Sequence, residues 1–431
     1  MNLLGSFITA FKVPDLRKKI LFTLFIIAVY RLGSHVPTPG IDVEAAQEFA
    51  NQAQGGVLAF INLFSGGAFT QLAVFALGIM PYITSSIIMQ LLTVVIPRLE
   101  AWSKEGESGQ KKINQWTRYL TIILATLQST VIAFLFREGQ LQTGVSTGRP
   151  LIPDFTPLRV SIIVLSLTAG TALIMWLGEL ITQRGIGNGM SILIFASIVS
   201  TLPQEGANIL ASKPLGTFLI LCFIALIVVV AIVFMEQGQR RIPVQYAKRV
   251  VGRRMYGGQS VYIPLKINQS GVIPIIFASS VLAIPGMFQQ ALPDSGIGLW
   301  INNNLVNPAS PVYMILYGMM VIFFAYFYTA IAFNPVDQAD NIKKYGGFIP
   351  GIRPGRQTAE YLDRILNRIT LPGAVFIAAI ALLPSVFLAT QGINDLPFGG
   401  TSILITVGVT LETMKQIESQ LMMRHYEGFL K

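Results

Sequence analysis

Charge is scarce in this sequence. Only 12% of its 431 residues are Asp, Glu, Lys or Arg, about half the roughly 25% of an average soluble domain. So few charges cannot coat a soluble protein of this length, so lipid must cover much of its surface. Cysteine is almost missing. Cys222 stands alone inside an apolar run, which excludes a disulfide framework and a cysteine-based metal site within one chain. The two histidines, His35 and His425, stand far apart with no ligand-spaced partner and read as loop or tail residues. No phosphate-binding GxxxxGK loop, no HExxH and no GxSxG with a usable base occurs. The chain therefore reads as no enzyme, with no cofactor, no metal and no catalytic residue. Any work it does must come from a partner or a gradient. Gradient coupling usually leaves ionisable groups at mid-membrane, but Glu179, Glu236 and Glu412 fall at or near the ends of apolar runs. No cleavable signal peptide is read at the start. Met1–Lys19 reads as an amphipathic basic tail, with the first apolar run as a signal-anchor.

Apolar residues make up 52% of the chain, and the mean hydropathy is +0.60. A helix crosses the hydrocarbon with about 20 mostly apolar residues. Ten candidate spans follow: Ile20–Leu32, Leu72–Ile96, Tyr119–Phe136, Val160–Leu180, Met190–Leu202, Leu215–Met235, Val272–Gln289, Val312–Phe333, Leu371–Ala389 and Thr401–Met414. The first, fifth and tenth are short and need burial in a bundle, or snorkelling flanks such as Arg31 and Lys415. The net charge of +10 sits in blocks between the runs, as membrane orientation requires. With ten spans, 26 of the 31 Lys and Arg residues fall on the side of the N-terminal tail and five on the other. That asymmetry obeys the positive-inside rule and puts both termini in the cytoplasm. Merging the fourth and fifth runs would throw the two most basic loops outside.

Those two loops are long, about 236–269 and 334–370. The first carries Arg240, Arg241, Lys248, Arg249, Arg253, Arg254 and Lys266; the second carries Lys343, Lys344, Arg353, Arg356, Arg364 and Arg368. Orientation needs only a few charges near helix ends, and loops of this length are uncommon without a function. They read as a structured docking surface. The loop Gly33–Gln71 differs. It holds the apolar stretch Val57–Leu63 followed by Phe64-Ser65-Gly66-Gly67-Ala68-Phe69. This is too short to span and too apolar for water, so it reads as a half-helix tucked into the bundle. The run Arg184–Gly189 reads as a tight turn letting two spans approach closely. Small polar residues cluster on two spans: Thr84, Ser85, Ser86 and Gln90 after Pro81, and Asn268, Gln269 and Ser270 at the head of the seventh. Such groups can hydrogen-bond between helices and suit helices that separate and re-close. A small-solute transporter would need mid-membrane charges or a polar pocket. An intramembrane protease would need a Ser–His pair or two aspartates inside spans. Neither set is present.

Several stretches resemble the SecY family in family order: Phe64-Ser65-Gly66-Gly67, Ala76–Ile83, Lys104–Glu107, Arg184–Gly189, Gly238–Pro243, Gly271–Pro274, Phe333-Asn334-Pro335, Gly351–Gly355 and Gly399–Ser402. The resemblance is closest to bacterial members. It implies an all-α membrane protein of ten transmembrane helices, in two pseudo-symmetric inverted five-helix halves, 1–202 and 203–431, around a central pore. It implies a protein-conducting channel of the bacterial plasma membrane, multi-pass, that passes unfolded secretory polypeptides and releases transmembrane segments sideways. The family's pore ring falls on Ile79, Ile83, Met190, Ile194, Ile276 and Ile405. Its plug falls on about 57–71, including Leu63, Phe64, Ser65, Gly66, Gly67, Ala68 and Phe69. Its lateral gate, where a signal sequence would bind, includes Thr84, Ser85, Gln90 and Asn268. Docking of the SecA motor ATPase and of the ribosome falls on Arg240, Arg241, Lys248, Arg249, Arg253, Arg254, Lys343, Lys344, Arg353 and Arg356. The small membrane subunits SecE and SecG are implied as partners, beside lipid. An apolar constriction excludes ions by dewetting and makes no specific bond to a passing chain. Met190, where isoleucine is common in the family, gives that ring a flexible member.

Overall fold

The computed structural model describes residues 11–42, 44–45, 62, 64–137, 140–141, 145–146, 152, 155–212, 214–246, 249–251, 254–256, 260–291, 295–391 and 400–429. Thirteen helices run along them: α1 Pro14–Gly33, α2 Met80–Val95, α3 Pro97–Lys104, α4 Glu107–Arg137, α5 Pro157–Arg184, α6 Gly189–Ser212, α7 Leu215–Gln237, α8 Ile273–Ala291, α9 Gly296–Ile301, α10 Pro311–Ala332, α11 Pro335–Lys344, α12 Arg356–Gln391 and α13 Gly400–Phe429. Nine of the ten predicted spans fall within a helix, overrunning it by no more than one residue, and several of those helices extend well beyond the span. The second span does not fall within a helix. Leu72–Ile79 forms turns, and helix begins only at Met80. The reason is local: Leu72 sits at φ 48° and Gly78 at φ 56°, left-handed conformations that a helix cannot carry.

Proline places many of the starts. It occupies the first or second position of α1, α2, α3, α5, α10 and α11, where its missing N–H costs no helical bond and its φ is already right. Pro97 also ends α2. It holds Ile96 extended, at φ −100° and ψ 113°, as a residue before proline is held. The chain therefore bends by 100° between α2 and α3.

Among the described residues, five helical stretches are long and apolar enough to cross a membrane, and six if the bent pair α2–α3 counts as one. They include Leu215–Gln237, the most apolar of them. The chain is a multi-pass membrane protein.

It forms two compact units. The first comprises Met1–Phe218, Pro285–Asn302 and Val409–Lys431. In it, Phe69, Leu72, Ala76 and Leu77 bury against Ala125 and Ala133 of α4 and Ile163 and Leu167 of α5. A smaller cluster joins Leu16 and Ile20 of α1 to Ile186 and to Ile417 and Leu421 of α13. Glycine permits the closest approaches. A Cβ on Gly170 of α5 would lie 2.1 Å from the Val74 carbonyl oxygen, and one on Gly189 would lie 1.8 Å from that of Gly178. The turn Gly185–Asn188 is tied down on both sides. Thr23 Oγ1 accepts from the Ile186 N–H at 3.2 Å, and Thr182 Oγ1 from the Gly189 N–H at 2.9 Å. Between α4 and α5, Arg118 grips Glu179 through two bonds, at 2.7 and 2.6 Å.

The second unit comprises Leu219–Ile284 and Asn303–Gly408. Within it, Phe277 of α8 meets Phe324 of α10 edge-on, with centroids 5.5 Å apart. The all-α expectation needs a correction here. The two long basic loops fold together around a three-stranded antiparallel sheet, in the order β6 (Ser260–Lys266), β3 (Gln239–Tyr246), β7 (Gly347–Phe348). The register runs from Gln239 opposite Lys266 to Gln245 opposite Ser260, and Tyr246 pairs with Gly347. Two short hairpins, Gln140–Leu141 with Val145–Ser146 (β1, β2) and Arg249–Val251 with Arg254–Tyr256 (β4, β5), complete the strands.

Candidate functional site

Four groups of residues were expected to act, and the described members of each have a definite place. The ring residues of the first unit lie one helical turn apart in pairs. The Ile83 N–H bonds to the Ile79 carbonyl at 3.1 Å at the head of α2, and Met190 and Ile194 stand on α6. All four are buried. Met190 lies over Gly178 of α5: a Cβ there would sit 2.5 Å from its sulfur. The flexible thioether thus fills a place that a branched side chain could not enter in the same way. In the second unit Ile276 on α8 and Ile405 on α13 are also buried.

Of the expected plug, Leu63 and residues 57–61 lie outside the described residues. From Phe64 onward the chain makes two helical residues and then turns. Gly66 at φ 62° and Gly67 at φ 88° carry the reversal, which only glycine adopts freely. Phe64, Ser65, Ala68 and Phe69 are buried. The Ser65 hydroxyl accepts from the Phe69 N–H at 3.1 Å and donates to the Asn62 carbonyl at 3.2 Å. Arg31, expected to snorkel outward, turns inward. Its Nη1 donates to the Gly66 carbonyl at 2.7 Å, a charge-assisted bond contributing about 1.5–3 kcal/mol. Beside it the Tyr30 hydroxyl lies 2.6 Å from Ser197 Oγ of α6 and 3.4 Å from the Ser65 carbonyl. Sequence alone gave no sign of this cluster, because tyrosine and arginine at the end of an apolar run read as interfacial anchors.

The expected gate residues hydrogen-bond locally. Thr84 Oγ1 donates to the Met80 carbonyl at 2.9 Å, and Ser85 Oγ to that of Pro81 at 2.7 Å, both one turn back in α2. Gln90 is half-buried on the same helix, and its carbonyl accepts from Thr93 Oγ1 at 2.6 Å. Asn268 is buried between β6 and α8. Its amide donates to Glu236 Oε1 at the end of α7 and, at 3.1 Å, to the Gly271 carbonyl. Its Oδ1 accepts from Ser270 Oγ at 3.1 Å. That set ties the end of the basic loop to the helix it left.

The basic residues share a platform with its own core. Ile242, Val244 and Leu265 of the sheet pack on Phe333, Ile342 and Ile349 and on Leu362, Ile365 and Leu366 of α12. The charges point the other way. Arg240 and Arg241 are exposed on β3; Lys343 and Lys344 close the last turn of α11. Arg353 is exposed in a turn between Gly351 at φ 82° and Gly355 at φ 103°. Its carbonyl is held by Thr358 Oγ1 at 3.0 Å, so the backbone is fixed while the guanidinium projects. Arg356 pairs with Glu360 at 3.0 Å, fully at the surface. Arg249 and Arg254 lie in the β4–β5 hairpin; Lys248 and Arg253 lie outside the described residues.

The comparisons agree with this architecture. The SecY family profile matches residues 73–414. The chain is 56% identical to "Protein translocase subunit SecY" of Streptomyces coelicolor over 437 aligned positions, covering all of both chains. Its fold is similar to that of a solved protein-conducting channel, with TM-score 0.64 and 18% identity over 95% of this chain and 96% of that one. It is also similar to canine Sec61 from a ribosome-channel complex of the endoplasmic reticulum, with TM-score 0.61 and 17% identity over 95% and 96%. A family match over most of the length, a relative this similar from end to end, and a many-spanned helical fold with a basic platform lead to one conclusion: the chain belongs to the SecY family.

Proposed function

We propose that the chain is the channel subunit of a bacterial protein-export translocon in the plasma membrane. The observation that carries this reading is the end-to-end 56% identity to a protein translocase subunit. In this reading ten helices form two inverted five-helix halves, 1–202 and 203–431, around a pore, with both termini cytoplasmic. The one-sided distribution of lysine and arginine supports the orientation. Ile79, Ile83, Met190, Ile194, Ile276 and Ile405 form the apolar constriction; it passes any unfolded chain and resists ions. Residues 57–71 plug it at rest. Thr84, Ser85, Gln90 and Asn268 border a lateral gate that a signal sequence opens. The platform takes a motor ATPase, SecA, or a ribosome. Its arginines suit carboxylate and phosphate contacts, and the ribosome-bound canine channel of similar fold supports the second partner. SecE and SecG complete the complex.

Reconstitution tests this directly. The chain is placed in liposomes with SecE, SecA and ATP, and a signal-bearing precursor is added. Protease protection of the precursor that needs ATP and disappears without SecA is the expected result. A folded complex that protects nothing would return the chain to the solute-transporter reading.

A further inference from the structure

We propose that Tyr30, Arg31 and Ser197 are positioning residues that latch the backbone at Ser65–Gly66 and so set how readily the channel leaves its resting state. The inference rests on the channel reading above and adds the residues that restrain it.

The argument begins with how differently the two ends of one segment are held. Downstream of Gly67 the chain is fixed by apolar burial. Phe69, Leu72, Ala76 and Leu77 sit in the core against α4 and α5. Phe75 stacks on the Tyr30 ring, with centroids 5.8 Å apart and 12° between planes. It also lies against Gly33 so closely that a Cβ there would come within 2.1 Å of its ring. Two backbone bonds close the base: the Thr38 N–H to the Leu72 carbonyl at 3.0 Å, and the Val74 N–H to the Val36 carbonyl at 2.9 Å. Moving this part would open the core.

At Ser65–Gly66 the fastening is polar and directional. Arg31 Nη1 holds the Gly66 carbonyl at 2.7 Å. The Tyr30 hydroxyl is fully buried, and a buried hydroxyl needs a partner. The Tyr30 hydroxyl donates to the Ser65 carbonyl at 3.4 Å. It also shares a 2.6 Å bond with Ser197 Oγ, whose own proton faces both Tyr30 and the Leu193 carbonyl at 2.9 Å. Hydrogen bonds thus run from Ser197 on α6 through Tyr30 of α1 to the Ser65 backbone. Space supports the same reading. A Cβ on Gly66 would lie 3.0 Å from both Arg31 Nη1 and Ser197 Cα, whereas one on Gly67 meets nothing within 4 Å. The chain is clamped at Gly66 and free beside Gly67. Directional bonds exchange one at a time, so loosening this point, even with Phe64 buried beside it, costs less than opening the core downstream.

The test uses the purified complex with its small membrane subunits in planar bilayers and liposomes. Arg31→Gln, Arg31→Lys, Ser197→Ala and Tyr30→Phe are compared with wild type. Two quantities are read: the resting ion conductance without substrate, and the ratio of defective-signal to intact-signal precursor translocated. Arg31→Gln is expected to raise both by at least about tenfold, the weight of one charge-assisted hydrogen bond, and Ser197→Ala by about three- to tenfold, the weight of a neutral one. Arg31→Lys, which keeps a charged donor, should recover most of the difference. A purely structural role would lower thermal stability and leave the ratio alone. If Tyr30→Phe fails to fold, Ser197→Ala removes the same bond from its other side and decides. Wild-type conductance and ratio in folded Arg31→Gln and Ser197→Ala complexes would overturn the latch while the channel reading stands. No translocation by the wild-type complex would overturn the channel reading, and the latch with it.

Discussion

Two connections in this chain reach order by opposite means. The platform of residues 236–269 and 334–370 turns Ile242, Val244, Leu265, Ile342 and Leu362 inward, and its described lysine and arginine side chains outward. The turn at Ser65–Gly66 is held instead by a guanidinium, a tyrosine and a serine acting on backbone. An apolar core is cooperative and does not open in part, whereas a few hydrogen bonds can exchange for others one at a time. The platform is therefore built as a lasting surface, and the turn, in the latch proposed above, as a releasable one. The docking and gating roles proposed for them need that difference.

The comparison breaks most readily at the platform's core. Leu265 is fully buried in it, and Leu265→Ala should cost about 2–5 kcal/mol. The expected outcome is rapid proteolysis within 236–269 with the membrane-embedded helices still protected; uniform loss of protection would show that the platform is not a separate cooperative unit. Gly66→Ala comes next. It forces a side chain into a left-handed position with no room, at about 1–3 kcal/mol. It should leave the platform's proteolysis pattern unchanged and raise the resting ion leak. A leak at wild-type level, with the turn's neighbours intact, would show that Gly66 is not under restraint.

How much of this was legible in sequence depends on which physical signal each part carries. Apolar runs mark helices plainly, so nine of the ten runs fall on helices, five of which are long and apolar enough to cross a membrane among the described residues. The run Leu72–Ile79 misled, because it is as apolar as a span but is buried as turns against α4 and α5. The glycine at 78 and the proline at 81 were the available warnings. The sheet was hidden by Pro243 and Pro264, which lie inside β3 and β6 where proline ordinarily argues against a strand. The alternation Ile242, Val244 on one face of β3 was the signal that could have found it. The arginines of the platform were visible as charge, but their common surface was not, because it depends on two loops far apart in sequence pairing through Tyr246 and Gly347. The ring isoleucines were single apolar residues among many, and only resemblance picked them out.

The smallest effect on folding is expected at Arg353, and it sharpens the comparison from the other side. The residue is exposed, its backbone turn is built by Gly351 and Gly355, and its carbonyl is fixed by Thr358. No described contact of the guanidinium contributes to the platform's core. Arg353→Glu should therefore change stability by no more than about 0.5 kcal/mol, as surface substitutions do. The same change reverses the charge at an exposed point of a basic surface. It should abolish SecA-driven export while assembly and the platform's protease pattern remain those of wild type, and Arg353→Lys should retain part of the activity because it keeps charge without the bidentate geometry. Measuring export and proteolysis on the same preparations separates the two roles. Normal export in Arg353→Glu would mean that the platform's rigidity serves something other than motor docking at this residue. Lost export together with a loosened platform would mean that Arg353 is part of the scaffold it stands on.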